Sequence, residues 1–250
     1  MFTARYFLLT LLLLPAAAAD AQEGGDIQAQ IEYAYQTEDN NSLVNLIQNL
    51  TAQVNGDAAD ASLRYHLAHA QYRYGQLSKD RHAHEAEAAL SACIDQLKPL
   101  LDKSVKSVES AALQSGCYSQ LADLRSLEAA LLRSRATDRI NAALKLAPRN
   151  PRAVLISAEQ DNRKAKPGSD AGQLAFAEFQ LAATLFEESS GTSLETPGWG
   201  HAEAYLALGR ELQKRGDHLG ARNWIEKSLI AAPDYKAAQR QRALLANPQP

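Results

Sequence analysis

Apolar residues recur along this chain at the spacing of helices. The clearest stretch is 202–235 (AEAYLALGRELQKRGDHLGARNWIEKSLIAAPDY). In its first half Tyr205, Leu208 and Leu212 share one helical face, with Gly209 as a small contact residue. In its second half Ala221, Trp224, Ile225 and Ser228 follow the i, i+3, i+4, i+7 spacing of a buried stripe. Gly216-Asp217 separates the halves as a turn, and Pro233, which has no backbone donor, stops the second helix. The same reading finds helices over 26–36, from about Ser42 to Asn55-Gly56, over 61–75 and over 85–101, where Pro99 ends or kinks the last turn. Further helices follow over 107–124, 126–146, 151–162, 171–188 and 235–245. In the first of all these, Ile27, Ile31 and Ala34 make the apolar face and Asp26 stands as a capping residue. No stretch keeps a two-residue alternation, and aromatics are only 6% of the chain. The expected class is all-α.

The unit 202–235 is 34 residues long, with a central turn and a closing proline. It resembles a tetratricopeptide repeat, a pair of antiparallel helices. Tyr205, Leu208, Gly209, Ala221, Ile225, Ser228 and Pro233 fall on signature positions of that family. Leu212 stands where an aromatic is common, and Ser228 where alanine is usual. Leu67, Ala68 and Gly75 resemble the leucine, small residue and turn glycine matched by Leu208, Gly209 and Gly216. Ala136, Ile140, Ala143 and Pro148 repeat the spacing of Ala221, Ile225, Ser228 and Pro233, whereas 107–124 offers only Ser115 and Tyr118. Pro148 and Pro233 lie 85 positions apart, 17 more than two such units. Two loops rich in Gly, Pro and Ser, at 163–170 and 189–200, absorb the difference. Gly168, Asp170, Trp199 and Gly200 resemble a feature of exported bacterial members, a glycine-bearing loop followed by a Trp-Gly pair before the last repeat. The resemblance implies a right-handed superhelical solenoid of about five helix pairs over 22–240. Residues 241–250 are then the helix end and tail, and Lys236, Gln239 and Arg240 face solvent at the cap.

The first residues, MFTARYFLLTLLLLPAAAADAQ, change the picture of where the protein works. Arg5, a short apolar run over 7–14, then Pro15 and small residues have the layout of a secretory signal, 1–21, with cleavage after Ala19 or Ala21. The run is too short to span a bilayer comfortably, and no cysteine follows it for lipidation. A periplasmic protein without membrane insertion after signal cleavage is the expectation. The formal net charge of −3 provides no electrostatic footprint for nucleic acid or an anionic membrane. The two cysteines, Cys93 and Cys117, sit in successive helices. In an oxidising compartment they are candidates for a disulfide worth about 3 kcal/mol, with two buried free thiols as the alternative.

Catalytic signatures are missing: no nucleophile elbow, phosphate-cradling loop or dinucleotide fingerprint occurs. His84-Glu85 begins like a zincin helix, but Ala88 occupies the position of the second zinc ligand. His66, His69, His82 and His84 lie within one helix pair and are candidate ligands for zinc or copper, or else ordinary residues of exposed helices and loops. Trp199 suits packing against the last repeat, or a lid. The resemblance implies a groove lined by the first helix of each repeat. Its residues here are Tyr65, His69, Tyr72 and Arg73, with Glu203, Leu206, Arg210 and Gln213. A protein partner, offered as an extended peptide or helix of an envelope protein, is the expected occupant. No cofactor is implied. The expected role is a non-catalytic scaffold in an envelope transport, secretion or assembly complex. A metal- or small-ligand-binding accessory protein using the histidines is the alternative.

Overall fold

A computed structural model describes the backbone of residues 16–25 and, with side chains, residues 26–57, 60–102, 107–166, 169–189 and 198–246. The expected signal core at 1–15 and Gly168 lie outside the described residues. Eleven α-helices and no strand occur among the described residues. They are α1 (Ala16–Gln36), α2 (Asn40–Gly56), α3 (Ala61–Ser78), α4 (Ala83–Leu97), α5 (Val108–Leu124) and α6 (Ala129–Leu146). The remainder are α7 (Pro151–Lys164), α8 (Asp170–Ser189), α9 (His201–Lys214), α10 (His218–Ala231) and α11 (Lys236–Ala246).

Helices α2, α3, α7 and α10 begin where polar side chains satisfy otherwise unpaired backbone donors. Asp39 accepts from the Ser42 N–H, Asp60 from Ser62 and Leu63, Asn150 from Ala153 and Asp217 from Gly220. Pro151 occupies the first turn of α7, where its missing donor costs nothing. Pro99 does end α4: a single 3-10 turn over Lys98–Leu100 follows Leu97. By contrast, α1 starts ahead of Asp26, which lies inside the helix instead of capping it. The alanine-rich segment before it carries high helical propensity.

Each odd-numbered helix packs on the even one that follows, and α1, α3, α5 and α7 also pack side by side as an inner layer. Five antiparallel pairs result, with α11 against α10 as the cap. Helix α5 is buried along nearly its whole surface, between α4, α6, α3 and α7. That explains its weak signature, since a helix covered on all sides needs no apolar stripe. Small residues let neighbours approach it, and several of its buried polar groups are bonded, although Gln114 Oε1 has no partner. Gln114 donates to the Ile94 carbonyl, and Ser115 donates to the Ala136 carbonyl while accepting from Gln160. Ser228, the departure from alanine, is accommodated in the same way by donating to the Ala202 carbonyl at 2.8 Å.

Gly75 does not form a turn. It lies inside α3, which runs on to Ser78, and a Cβ built on it would sit 2.6 Å from Leu90 Cγ. Its counterpart is therefore Gly209, whose Cβ would meet Ile225 Cγ1 at 2.8 Å. Gly216, at φ 82°, is the turn glycine. Cys93 of α4 and Cys117 of α5 are joined by a disulfide with a Cα–Cα distance of 6.4 Å.

Candidate functional site

The inner face is organised around one buried cation. Arg73, on α3, is 2% exposed. Its Nε and Nη2 donate to the two Glu32 carboxylate oxygens of α1, each at 2.8 Å. Nη2 also donates to Glu203 of α9, and Nη1 donates to Gln76 at 3.0 Å. Three repeats distant in sequence thus meet on one guanidinium. Burial opposes its charge, but Glu203 and Glu32 outweigh that and hold the group ionised. Two carboxylates sharing one cation cannot both be fully compensated. Burial pushes the Glu203 carboxyl above its ordinary range, opposed by Arg73 and aided by Glu32.

Aromatic rings enclose this centre. The Arg73 guanidinium lies 4.0 Å from the Tyr35 ring centroid and 5.4 Å from that of Trp199. Trp199 is fully buried; its indole donates to the Tyr65 hydroxyl at 2.8 Å and its ring lies 5.5 Å from that of His69. With its amide oxygen turned inward, Gln28 accepts from the backbone of Gly198 and Trp199. Trp199 therefore packs across the molecule on α3, in the core of the earlier repeats, and not against the last repeat as expected. Gly200 makes this possible: at φ 98°, with Phe186 and Leu155 against it, it carries the chain from the tryptophan into α9. Desolvation pushes Tyr35 up to about 12 and raises Tyr65 and Tyr72 further still.

The ends of the solenoid also meet. Tyr35 and Tyr235 have ring centroids 6.1 Å apart, and Arg240 of α11 reaches Glu38, with Nη1 at 3.0 Å. Lys236, Gln239 and Arg240 are exposed as expected, and Arg240 is also paired with Glu38. Between these contacts remains a cavity of about 120 Å³, lined in part by Tyr72, Arg73, Glu159, Trp199, Glu203 and Arg210.

The structure brings the two halves of the expected groove together but does not leave them open. Tyr72, Arg73, Glu203, Leu206 and Arg210 line the same cavity. Tyr65 and His69 are buried against Trp199, and Leu206 is buried as well. Gln213 lies outside the cavity, accepting from Gln241 of α11. Arg210 alone of the eight is exposed, and it donates to Gln241. Tyr65, His69, Tyr72 and Arg73 are thus corrected from surface residues to interior ones. Sequence reasoning missed Glu32, Tyr35, Glu159 and Tyr235. The only local signal was that Glu32 and Tyr35 flank the apolar stripe of α1.

The histidines do not converge. His66 is buried with Nδ1 unbonded, and desolvation, then His69, pushes it down to about 4. His69 is fully buried and held well below its ordinary value by the same desolvation; its Nε2 lies 3.0 Å from Glu32 Oε1 without hydrogen-bond alignment. His82 and His84 are exposed at the start of α4. Among the described residues no group of three or more His, Cys, Asp or Glu side chains is placed to hold a metal, so the four candidates form no common site. Nor is any described helix long and apolar enough to cross a membrane.

No family model and no curated protein matches the chain in sequence. Solved structures do match in shape. TTC0263, a thermophilic TPR protein in Thermus thermophilus, superposes with a TM-score of 0.60 at 14% identity, over 90% of this chain and 98% of that one. The HusA haemophore from Porphyromonas gingivalis superposes with a TM-score of 0.57 at 19% identity, over 80% of this chain and 96% of that one. Together with the five stacked helix pairs, these likenesses make the fold an all-α solenoid of the tetratricopeptide-repeat type.

Proposed function

We propose that this chain is an exported, non-catalytic scaffold whose inner face holds a segment of a protein partner within a cell-envelope transport, secretion or assembly complex. The observation that carries the reading is the convergence of Tyr72, Arg73, Glu203, Leu206 and Arg210 on one cavity, with exposed Arg210 giving access to it. A preformed site of this kind binds without first ordering itself, which lowers the entropic cost of association. Export is supported by the signal-like layout of residues 1–21 and by the Cys93–Cys117 disulfide, a bond that belongs in an oxidising compartment. In the domain plan proposed here, 1–21 is removed, 22–240 is the repeat domain and 241–250 its end.

One structural neighbour is a haemophore. The inner cavity leaves about 120 Å³, well below the ~300–1,000 Å³ of pockets for drug-sized ligands, and a pocket of about 330 Å³ between α10 and α11 has no histidine in its lining. With the histidines apart, the protein-partner role is favoured over a ligand role built on them.

A photoreactive residue at Arg210, crosslinked in cells and read by mass spectrometry, tests the scaffold. One dominant envelope partner supports it. A partner captured only from exposed Leu127, beside α6, places binding on another face and overturns the inner-face reading. The mass of the mature protein tests export: a chain beginning at Asp20 or Gln22 is expected, and an intact Met1 in cells contradicts it.

A further inference from the structure

Two arginines, Arg73 and Arg210, and two carboxylates, Glu159 and Glu203, line the inner cavity, and Glu32 adds a third carboxylate behind Arg73. Arg73 is already shared by Glu32 and Glu203. Glu159, from α7, lines the same cavity and has no hydrogen bond or ion pair among the described residues. The basic side chains closest to it are engaged elsewhere. Arg163 bonds Ser119 and lies 3.5 Å from Asp123, Lys79 reaches Gln120, and Arg210 bonds Gln241. Burial raises the Glu159 carboxyl above its ordinary range, against the pull of Arg163 and Arg73, as expected of an acid that lacks a close counter-ion.

The rest of the lining is suited to a cation. Tyr35, Tyr72, Trp199 and Tyr235 surround the space, and aromatic faces attract positive charge most strongly where water is excluded. Arg73, stacked 4.0 Å from the Tyr35 centroid, shows that this cage accepts a guanidinium. About 120 Å³ is room for one further small head group and not for a ring system. Exposed Arg210 carries the lining out to solvent, which suits a head group carried on a flexible stem.

Resting on the scaffold reading, we infer that this cavity receives the positively charged head of one arginine or lysine side chain from the protein partner, paired with Glu159 and enclosed by the aromatic rings. A short capped alanine peptide with a central arginine is the probe, its citrulline twin the neutral control, and methylguanidinium the free small cation. The readout is the Trp199 indole N–H resonance, assigned with the Trp224→Phe variant. The arginine peptide is expected to shift that resonance saturably and the citrulline peptide to bind at least about tenfold more weakly, as loss of a charge-assisted bond requires. Glu159→Gln, with an unchanged thermal melt, is expected to weaken the arginine peptide by a similar factor. Equal binding of the citrulline peptide, or no saturable shift with arginine, overturns the inference. Methylguanidinium binding as tightly as the peptide overturns the assignment to a partner's side chain. A partner crosslinked from Arg210 equally well in Glu159→Gln sinks this inference and leaves the scaffold standing.

Discussion

Arg73 and His66 sit two turns apart on α3 and meet burial in opposite ways. The guanidinium cannot lose its proton, so the fold supplies two carboxylates and an aromatic face; desolvation of such a group costs several kcal/mol and must be compensated in place. The imidazole can lose its proton, and it stays neutral. That difference has a measurable consequence. His66 is pushed down to about 4 from 6.5, mainly by burial, so its contribution to stability is fully present above pH 6.5 and is lost as pH falls toward 4. Glu159 and Glu203 are raised by burial; they act with the opposite sign, penalising the fold as pH rises through their shifted values. Comparison with His66→Gln separates the two. Between pH 6.5 and 4 the parent should lose up to about 1.4 kcal/mol per pH unit more than the variant in denaturant titrations, the slope of one proton. Parallel curves would mean that His66 is accessible to protons in the folded state.

Contact between elements depends on what each helix omits. Gly75 lets Leu90 of α4 lie directly on the α3 backbone, and Gly209 does the same for Ile225 of α10. Gly56, at the end of α2, has nothing within 4 Å of where a Cβ would stand. Alanine at these positions therefore has opposite expected effects. Gly75→Ala forces Leu90 aside in a closed core and should cost about 1–3 kcal/mol. Gly56→Ala should be neutral or stabilise by up to about 1 kcal/mol, by restricting the unfolded chain. Denaturation midpoints of the two variants check this, and a neutral Gly75→Ala would show that α3 and α4 separate easily. The α4–α5 junction is further held by the Cys93–Cys117 bond.

At the scale of the molecule the notable property is closure. An open solenoid exposes its inner layer, whereas here Tyr35 meets Tyr235, Glu38 meets Arg240 and Arg73 joins α1 to α9. The Glu38–Arg240 pair is exposed, so it contributes at most about 1 kcal/mol. The buried tyrosine contact should dominate. Tyr235→Ala is expected to cost about 3 kcal/mol and to raise acrylamide quenching of Trp199 at least about twofold, measured in a Trp224→Phe background, with helicity retained. Unchanged quenching would show that the inner face is held shut without the tyrosine pair.

Helix pairs were legible in the residues because each is encoded locally: stripe, small contact residue, turn and stop all fall within 34 positions of 202–235. The groove residues on α3 and α9 were legible only through the resemblance, and of them Tyr72, Arg73, Glu203, Leu206 and Arg210 line one cavity. Their burial was not legible. Trp199 bonds Tyr65 across 134 positions, and Arg73 reaches Glu203 across 130. No periodicity reports a contact at that separation, and beyond the place of Glu32 and Tyr35 beside the stripe of α1, nothing distinguishes Glu32, Tyr35, Glu159 and Tyr235 from surface residues. Gly75 was misread for a related reason: a glycine for a turn and a glycine for close packing are the same letter until the partner, Leu90, is in place. Local patterning therefore specifies the repeats and their order. How far the superhelix curls, and so whether its inner face is a groove or a closed cavity, depends on the sum of small rotations between repeats and on which distant side chains meet when they are stacked.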